Sequence, residues 1–165
     1  MTYRLPMTKA PKRSAGLLMY RRRESGTEVF LVHPGGPFWA KKDRGAWTLP
    51  KGEYEADEDP LEAAQREFQE ETGFLASGDF FELGSVRQES GKIVVAWAFE
   101  GDCDPAQLVS NTCEIEWSPH SGKRIEIPEI DRGRWFGFAE AHDYIRAEQG
   151  ELLDRLERHL TSQRS

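Results

Sequence analysis

The segment that decides the fold runs from residue 52 to residue 74 and reads GEYEADEDPLEAAQREFQEETGF. Asp59 suits the N-cap of a helix, because its side chain can accept a hydrogen bond from a free backbone N–H of the first turn. Pro60 suits the first helical position, where no backbone N–H is needed. Gly73 is typical of a helix C-terminus, since glycine readily takes the left-handed conformation. These signals predict a helix over residues 60–72.

The predicted helix carries an apolar stripe and, beside it, a row of carboxylates. At about 100° per residue, one face holds Leu61, Ala64 and Phe68. The neighbouring face holds Glu67, Glu70 and Glu71, at i, i+3 and i+4. Like charges at this spacing destabilise a helix, and a divalent cation reverses that effect. Two interpretations stand: a solvated acidic face opposed by Arg66, or an all-oxygen site for Mg²⁺ or Mn²⁺.

The spacing of these residues resembles a complete enzyme signature, the Nudix box of the Nudix (MutT-like) hydrolases. From Gly52 the chain has five residues and Glu58, then seven residues and Arg66-Glu67-Phe68, one residue and Glu70-Glu71, one residue and Gly73-Phe74. Every fixed position of the box is matched. The resemblance extends more loosely over about residues 14–160, through the strand order, the WTLPKG sequence that ends at Gly52 and the C-terminal helix.

The resemblance implies an α+β fold, a Nudix-type three-layer α/β/α sandwich with a mixed β-sheet. It implies a single hydrolase domain over residues 14–165, with Mg²⁺ (or Mn²⁺) held between sheet and helix. The positions that match the family's metal ligands are Glu67, Glu70 and Glu71. A main-chain carbonyl near Lys51 is the further ligand that the resemblance suggests.

The resemblance also assigns roles around the metal ligands. Arg66 matches the arginine that orients the carboxylates, and Glu58 matches the acid in the upstream loop. Attack of water on phosphorus needs a group that takes the water's proton. Glu70 and Glu129 are the two candidates for that base, and the sequence leaves the choice open.

Many members of the family add one acid outside the box, a few residues before a tryptophan on a late strand. Glu129, six residues before Trp135, is the expected residue here. Glu114 and Glu116 are the alternatives. An ordinary solvated loop acid is the competing interpretation of Glu129.

Upstream of the box, a loop over residues 34–47 combines aromatic and cationic side chains. It opens with Pro34-Gly35-Gly36-Pro37, a sequence that breaks the preceding strand. Aromatic rings can stack on a base and cations can bind phosphates, so the loop is predicted to bind substrate. The residues concerned are Phe38, Trp39, Lys41, Lys42 and Arg44, with Lys123 and Arg124 as weaker candidates elsewhere. The alternative is a surface loop folded onto its own aromatic side chains.

Alternation and turn residues predict the remaining elements. A hairpin is expected from residues 14–20 and 28–33, and further strands over 46–49, 80–89, 92–100, 114–117 and 134–138. The segment 118–133 is expected to be mostly loop. A C-terminal helix is expected over 139–160, interrupted near Gly150. Residues 1–13 hold four cations and no carboxylate, which predicts a flexible basic tail.

Composition limits the possible functions. The net charge is −7, from 22 Lys and Arg against 29 Asp and Glu, which argues against a dominant nucleic-acid-binding surface. No apolar run approaches the ~20 residues of a membrane helix. Cys103 and Cys113 are the only cysteines, and they are expected to be reduced thiols of a cytoplasmic protein. The sequence leaves the oligomeric state open.

These features predict a Mg²⁺-dependent pyrophosphohydrolase that acts on a nucleotide or dinucleoside polyphosphate, by attack of water on phosphorus. The WTLPKG sequence is similar to that of dinucleoside polyphosphate hydrolases and of some nucleotide-sanitising members of the family. The alternatives are hydrolysis of a non-nucleotide diphosphate or of an RNA end, and a ligand-sensing module without catalysis. The intact box argues against the last of these. The expected partner is therefore a small-molecule phosphoanhydride.

Overall fold

A computed structural model describes residues 11–163 of the chain. The strands in this range are β1 (Arg13–Arg23), β2 (Gly26–Pro34), β3 (Lys51–Glu53), β4 (Phe81–Arg87), β5 (Ile93–Glu100), β6 (Thr112–Glu116), β7 (Arg124–Pro128) and β8 (Ile130–Gly137). The α-helices are α1 (Pro60–Thr72), α2 (Phe138–Tyr144) and α3 (Gly150–Ser162). The predicted tail lies outside the described residues, except that Pro11 and Lys12 precede β1 and Arg13 begins it.

Six strands form one mixed sheet in the order β4-β5-β1-β2-β8, with β3 also paired to β1. The β1–β5 pair is parallel, and the other pairs in this sheet are antiparallel. β1 lies at the centre because its side chains are apolar on both faces. Leu17 and Met19 pack on one face, whereas Leu18 and Tyr20 pack on the other. β6 and β7 form a separate two-stranded ribbon.

Helices cover both faces of the sheet and complete three layers. One face packs against α1 through Ala63, Ala64 and Phe68. The other face packs against α3 through Leu152, Leu153, Leu156 and Leu160. The predicted α+β architecture, an α/β/α sandwich around a mixed sheet, is therefore confirmed.

Helix α1 has the bounds that its capping residues predict. The Asp59 carboxylate accepts a hydrogen bond from the backbone N–H of Glu62 at 3.0 Å. Gly73 takes a φ of 79° and its N–H donates to the Gln69 carbonyl at 2.8 Å. Local sequence signals thus determine where the helix begins and ends, and with it the spacing of the carboxylates.

Two predicted elements are wrong in detail. Residues 46–49 form only isolated bridges to β2 and to Ile145, and the strand begins at Lys51. The segment 118–133 is not mostly loop, because β7 and the start of β8 lie in it. The predicted interruption of the C-terminal helix near Gly150 is confirmed, because residues 145–149 separate α2 from α3, which begins at Gly150.

Two further features of the described residues bear on the class of protein. None of the helices in residues 11–163 is both long and apolar enough to cross a membrane. Cys103 and Cys113 are both free thiols. Burial raises the pKa of the Cys103 thiol to about 12, so it stays protonated and unreactive at neutral pH.

Candidate active site

Helix α1 meets β3 where Glu67 lies against Gly52. A Cβ atom on Gly52 would be 2.0 Å from Oε2 of Glu67 and 2.1 Å from its Cδ. The Glu67 carboxylate therefore occupies the space that any other side chain at position 52 would fill. Burial raises the pKa of Glu67, while its hydrogen bond with Arg66 lowers it.

Glu71 lies deeper between the helix and the sheet. The residue is 7% exposed, and its Oε2 accepts a hydrogen bond from the Lys51 backbone N–H at 3.2 Å. Burial raises the pKa of the Glu71 carboxyl to about 8, and the charges of Glu129 and Glu67 act in the same direction. Near neutral pH this acid therefore stays largely protonated unless a cation stabilises its charge.

Arg66 holds the outer carboxylates in place. Its guanidinium donates to Glu58 and, at 3.2 Å, to Glu67, and its Nε lies 3.8 Å from Glu70. Glu58 also accepts a hydrogen bond from the backbone N–H of Glu55 at 3.1 Å. That bond and the one from Arg66 lower the pKa of Glu58. Glu58 thus anchors the arginine, and the arginine orients Glu67 and Glu70.

The loop acid Glu129 lies beside the carboxylates of α1, because Asn111 links its segment to the helix. The Asn111 backbone N–H donates to the Glu70 carbonyl at 2.8 Å, and its carbonyl accepts from the Glu129 N–H at 2.9 Å. Burial raises the pKa of Glu129, the charge of Glu70 raises it further, and a side-chain hydrogen bond with Asn111 lowers it. Asn111 was not among the predicted residues, and no sequence signal marks it.

The alternatives to Glu129 lie on the ribbon. Glu114 is opposite Glu126 on β7, and Glu116 accepts a hydrogen bond from the Gly122 N–H at 3.3 Å. Lys123 and Arg124 lie at that same end of the ribbon, and Arg124 is opposite Glu116. The structure thus brings Glu129, rather than these residues, beside the Glu70 segment.

We call four neighbouring acids the carboxylate cluster: Glu67, Glu70, Glu71 and Glu129. Within residues 11–163, no three Asp, Glu, His or Cys side chains already surround one point that a metal ion could occupy. The donors nevertheless fit Mg²⁺ or Mn²⁺, because they are all oxygens whose mutual repulsion a cation relieves.

The aromatic loop, residues 34–47, gathers three of the predicted substrate residues. The Lys42 Nζ lies 3.7 Å from the centre of the Phe38 ring and 5.1 Å from that of Trp39. The two rings contact edge to face at 5.1 Å, and Phe38 is 55% exposed. Of the other two residues, Arg44 lies over Tyr144 at 5.3 Å, while Lys41 is exposed.

A buried histidine, which the sequence analysis did not select, fixes the aromatic loop. His33 is fully buried; its Nε2 donates to the Lys42 carbonyl at 2.6 Å, and its Nδ1 lies 2.9 Å from Asp131 Oδ1. The Gly35 N–H donates to the Glu129 carbonyl at 2.9 Å. The loop is therefore attached to the segment that carries Glu129.

The chain matches the NUDIX domain family over residues 10–156. The chain belongs to the NUDIX family. This match confirms the resemblance that the box suggested. The roles of the individual site residues are not tested by it and stay predictions.

Relatives of this NUDIX chain fall into two groups. The bis(5'-nucleosyl)-tetraphosphatase [asymmetrical] of Mus musculus is 34% identical over 140 residues, covering 78% of this chain and 81% of the relative. An RNA pyrophosphohydrolase of Stenotrophomonas maltophilia is 46% identical over 48 residues, which is 28% of this chain and only 23% of the relative. The second match thus spans less than a quarter of the relative's length.

Solved structures share the fold of this NUDIX chain. A C. elegans Ap4A hydrolase binary complex aligns with a TM-score of 0.65 and 24% identity, over 92% of this chain and 98% of that one. The NUDIX domain of Shewanella oneidensis NrtR, complexed with ADP ribose, aligns with a TM-score of 0.66 and 17% identity, over 96% and 94%. At these identities the similarity shows the fold alone.

Proposed function

We propose that this NUDIX protein is a Mg²⁺- or Mn²⁺-dependent pyrophosphohydrolase whose substrate is a dinucleoside polyphosphate or a related nucleotide. The observation that carries the proposal is the carboxylate cluster, in which the acid outside the box, Glu129, lies beside the acids of α1. The name of the Mus musculus relative supports the choice of dinucleoside polyphosphates.

In this proposal the oxygens of Glu67, Glu70 and Glu71, with the Lys51 carbonyl, hold the metal. A divalent ion supplies neutralisation of phosphate charge and activation of water. The chain's own residues supply the geometry: Arg66 orients two carboxylates, Gly52 leaves room for Glu67, and the Lys51 N–H positions Glu71.

The proposed reaction consumes one water molecule. The water oxygen forms a bond to phosphorus, the bridging P–O bond of the anhydride breaks, and the leaving phosphate takes the electron pair. A carboxylate of the cluster accepts the water's proton. Glu129 suits this role because its partly buried position raises its pKa, which makes it a stronger base than an exposed glutamate.

The test is a substrate panel with each product identified. It contains diadenosine tetraphosphate, nucleoside triphosphates, a nucleotide sugar, an inositol pyrophosphate and 5'-triphosphorylated RNA, each with Mg²⁺ and with EDTA. We expect metal-dependent cleavage of diadenosine tetraphosphate with the highest kcat/KM. Preferred cleavage of the inositol pyrophosphate or the RNA would contradict the proposed substrate class, and cleavage of none of them would contradict the proposed activity.

Hydrolysis of an RNA end is the second candidate, and the 48-residue match to an RNA pyrophosphohydrolase favours it. A long RNA needs a basic path along the protein surface. The net charge of −7 makes such a path less favourable than a compact site for a small nucleotide. The RNA arm of the panel decides between the two.

A further inference from the structure

The segment between α2 and α3, residues 145–149, is called the connector here, and it runs beside residues 47–49. The Arg146 backbone N–H donates to the Trp47 carbonyl at 2.8 Å. Gln149 is fully buried; its Oε1 accepts from the Leu49 N–H at 3.1 Å and its Nε2 donates to Thr48 Oγ1 at 2.9 Å. Backbone contacts and Gln149 therefore fix the connector without using the Arg146 side chain.

The Arg146 guanidinium lies between the aromatic loop and the start of β3. Its Cζ is 5.5 Å from the centre of the Trp39 ring. The connector that carries Arg146 bonds to residues 47–49, which lead directly into β3 at Lys51. A second cation in this region, Lys92, is paired with Glu53 at 3.0 Å. Arg146, by contrast, forms no ion pair with any carboxylate of residues 11–163.

The side chain of Lys51 lies on the same side of the sheet as the connector. Ser14 and Gly16 of β1 are opposite Glu53 and Lys51 of β3, so the side chains of Ser14 and Lys51 point to the same face. Leu18 belongs to that face of β1, and it packs in one core cluster with Ile145 of the connector.

We propose that Arg146 binds the phosphate chain of the substrate, between a base stacked on Trp39 and the bond that is cleaved at the carboxylate cluster. This inference rests on the proposed function and names the recognition element for that substrate. A guanidinium presents its N–H donors as a planar fork that matches phosphate oxygens. Arg146 thus recognises phosphates, and Trp39 recognises the base.

The test is calorimetric binding with Mg²⁺ to analogues whose bridging oxygens are replaced by methylene groups, which separates binding from turnover. The probes are such analogues of inorganic tripolyphosphate, which has no base, and of diadenosine tetraphosphate. We expect Arg146→Gln to weaken both by about 10- to 100-fold, as loss of charge-assisted hydrogen bonds does, and Arg146→Lys to restore part of the affinity. The matched control is Arg134→Gln, because Arg134 also lies over an aromatic ring, at 4.6 Å from Phe136, but is paired with Glu140.

Three results would overturn the assignment. The first is an affinity for the tripolyphosphate probe that is the same in Arg146→Gln and in the wild type. The second is no binding of that probe by the wild type. The third is a loss confined to the diadenosine tetraphosphate probe, because Arg146 would then act only through the base-stacking ring. Hydrolysis is read separately: a wild-type protein that binds tripolyphosphate through Arg146 but cleaves nothing contradicts the proposed function and supports this inference.

Discussion

The carboxyl group of Glu71 is buried like a core side chain, but the proposed metal ligand must be ionised. Glu71→Gln keeps the shape and removes the charge. We expect kcat to fall by roughly 10²–10³-fold, as when a preorganised electrostatic group is removed from an active site. The fold should stay intact, because burial already favours the neutral form of Glu71. Turnover and thermal unfolding, measured side by side with Mg²⁺, check this.

Glu62→Gln is the matched control for that variant. Glu62 is exposed on the first turn of the same helix, so the change removes one charge without touching the carboxylate cluster. We expect turnover near that of the wild type. Activity of Glu71→Gln within a few-fold of that control would show that the metal site lies elsewhere.

Gly52 matters because its missing side chain leaves room for Glu67. A Cβ on Gly52 would approach three atoms of the Glu67 side chain at 2.0, 2.1 and 2.7 Å. We expect Gly52→Ala to displace that carboxylate and to lower kcat by about 10²-fold or more, with a stability loss of about 1–3 kcal/mol from overpacking. Steady-state kinetics and urea unfolding measure the two effects.

The control for this variant is Gly137→Ala. Gly137 has a φ of −67°, and a Cβ there would meet no atom within 4 Å. We expect it to keep both activity and stability. An active Gly52→Ala would mean that Glu67 can bind the metal from a different rotamer.

Among the elements, the aromatic loop is held at one end to the segment that carries Glu129 and at the other end to the connector. Trp39→Ala removes the ring that faces both Lys42 and Arg146. Stacking on an aromatic ring is worth about 1–3 kcal/mol per base, so we expect KM for diadenosine tetraphosphate to rise roughly 5- to 150-fold. The change in kcat should be smaller, because stacking stabilises ground state and transition state alike.

Inorganic tripolyphosphate is the control substrate for Trp39→Ala, since it has no base to stack. Its affinity should stay near that of the wild type. An unchanged KM for diadenosine tetraphosphate would mean that Trp39 serves only to pack against Phe38 and Lys42.

Elements defined by local contacts were predictable from the sequence, and α1 shows why. Its N-cap, its first-turn proline and its C-terminal glycine all act within a few residues, so the bounds of 60–72 and the spacing of the carboxylates follow directly. The resemblance to the Nudix box then supplied the roles of these residues.

Elements defined by distant contacts were not predictable. β7 forms only because β6 pairs with it, and Arg124 is opposite Glu116 across the ribbon. Residues 47–49 bond to the connector about a hundred residues later, which is why they are not an ordinary strand. Asn111 and His33 contact the candidate site in the same way, through partners that are remote in sequence, and the role proposed for Arg146 rests on such contacts too. The choice of Glu129 came from the family resemblance and not from any local pattern.

On the scale of the whole molecule, nine of the 29 Asp and Glu residues lie in residues 53–71, the segment of the proposed active site. A protein of net charge −7 repels a polyphosphate. The carboxylate cluster adds to that repulsion unless it holds a cation, and the half-buried cations Lys51 and Arg146 counter it nearby. Metal binding should therefore stabilise the fold as well as prepare the site.

The pH dependence of stability follows from the same cluster. The pKa of Glu71 is raised from 4.5 in the unfolded chain to about 8, and those of Glu67 and Glu129 are also raised. Between these values the folded protein holds protons that the unfolded chain has lost. The stabilising contribution is thus fully present below pH ~4.5 and is lost as pH rises toward 8. We expect the metal-free protein to unfold more easily at pH 8 than at pH 5.

The measurement is urea unfolding in EDTA from pH 5 to pH 8. One retained proton gives a slope of about 1.4 kcal/mol per pH unit, and Glu71→Gln should reduce the slope by up to that amount. Mg²⁺ should raise stability more at pH 8 than at pH 5, because it binds the ionised carboxylates. The lowered pKa of Lys51 acts in the opposite direction, and comparison with Glu71→Gln removes its contribution. Identical slopes of stability against pH in the wild type and in Glu71→Gln would show that the pKa of Glu71 is not raised by burial.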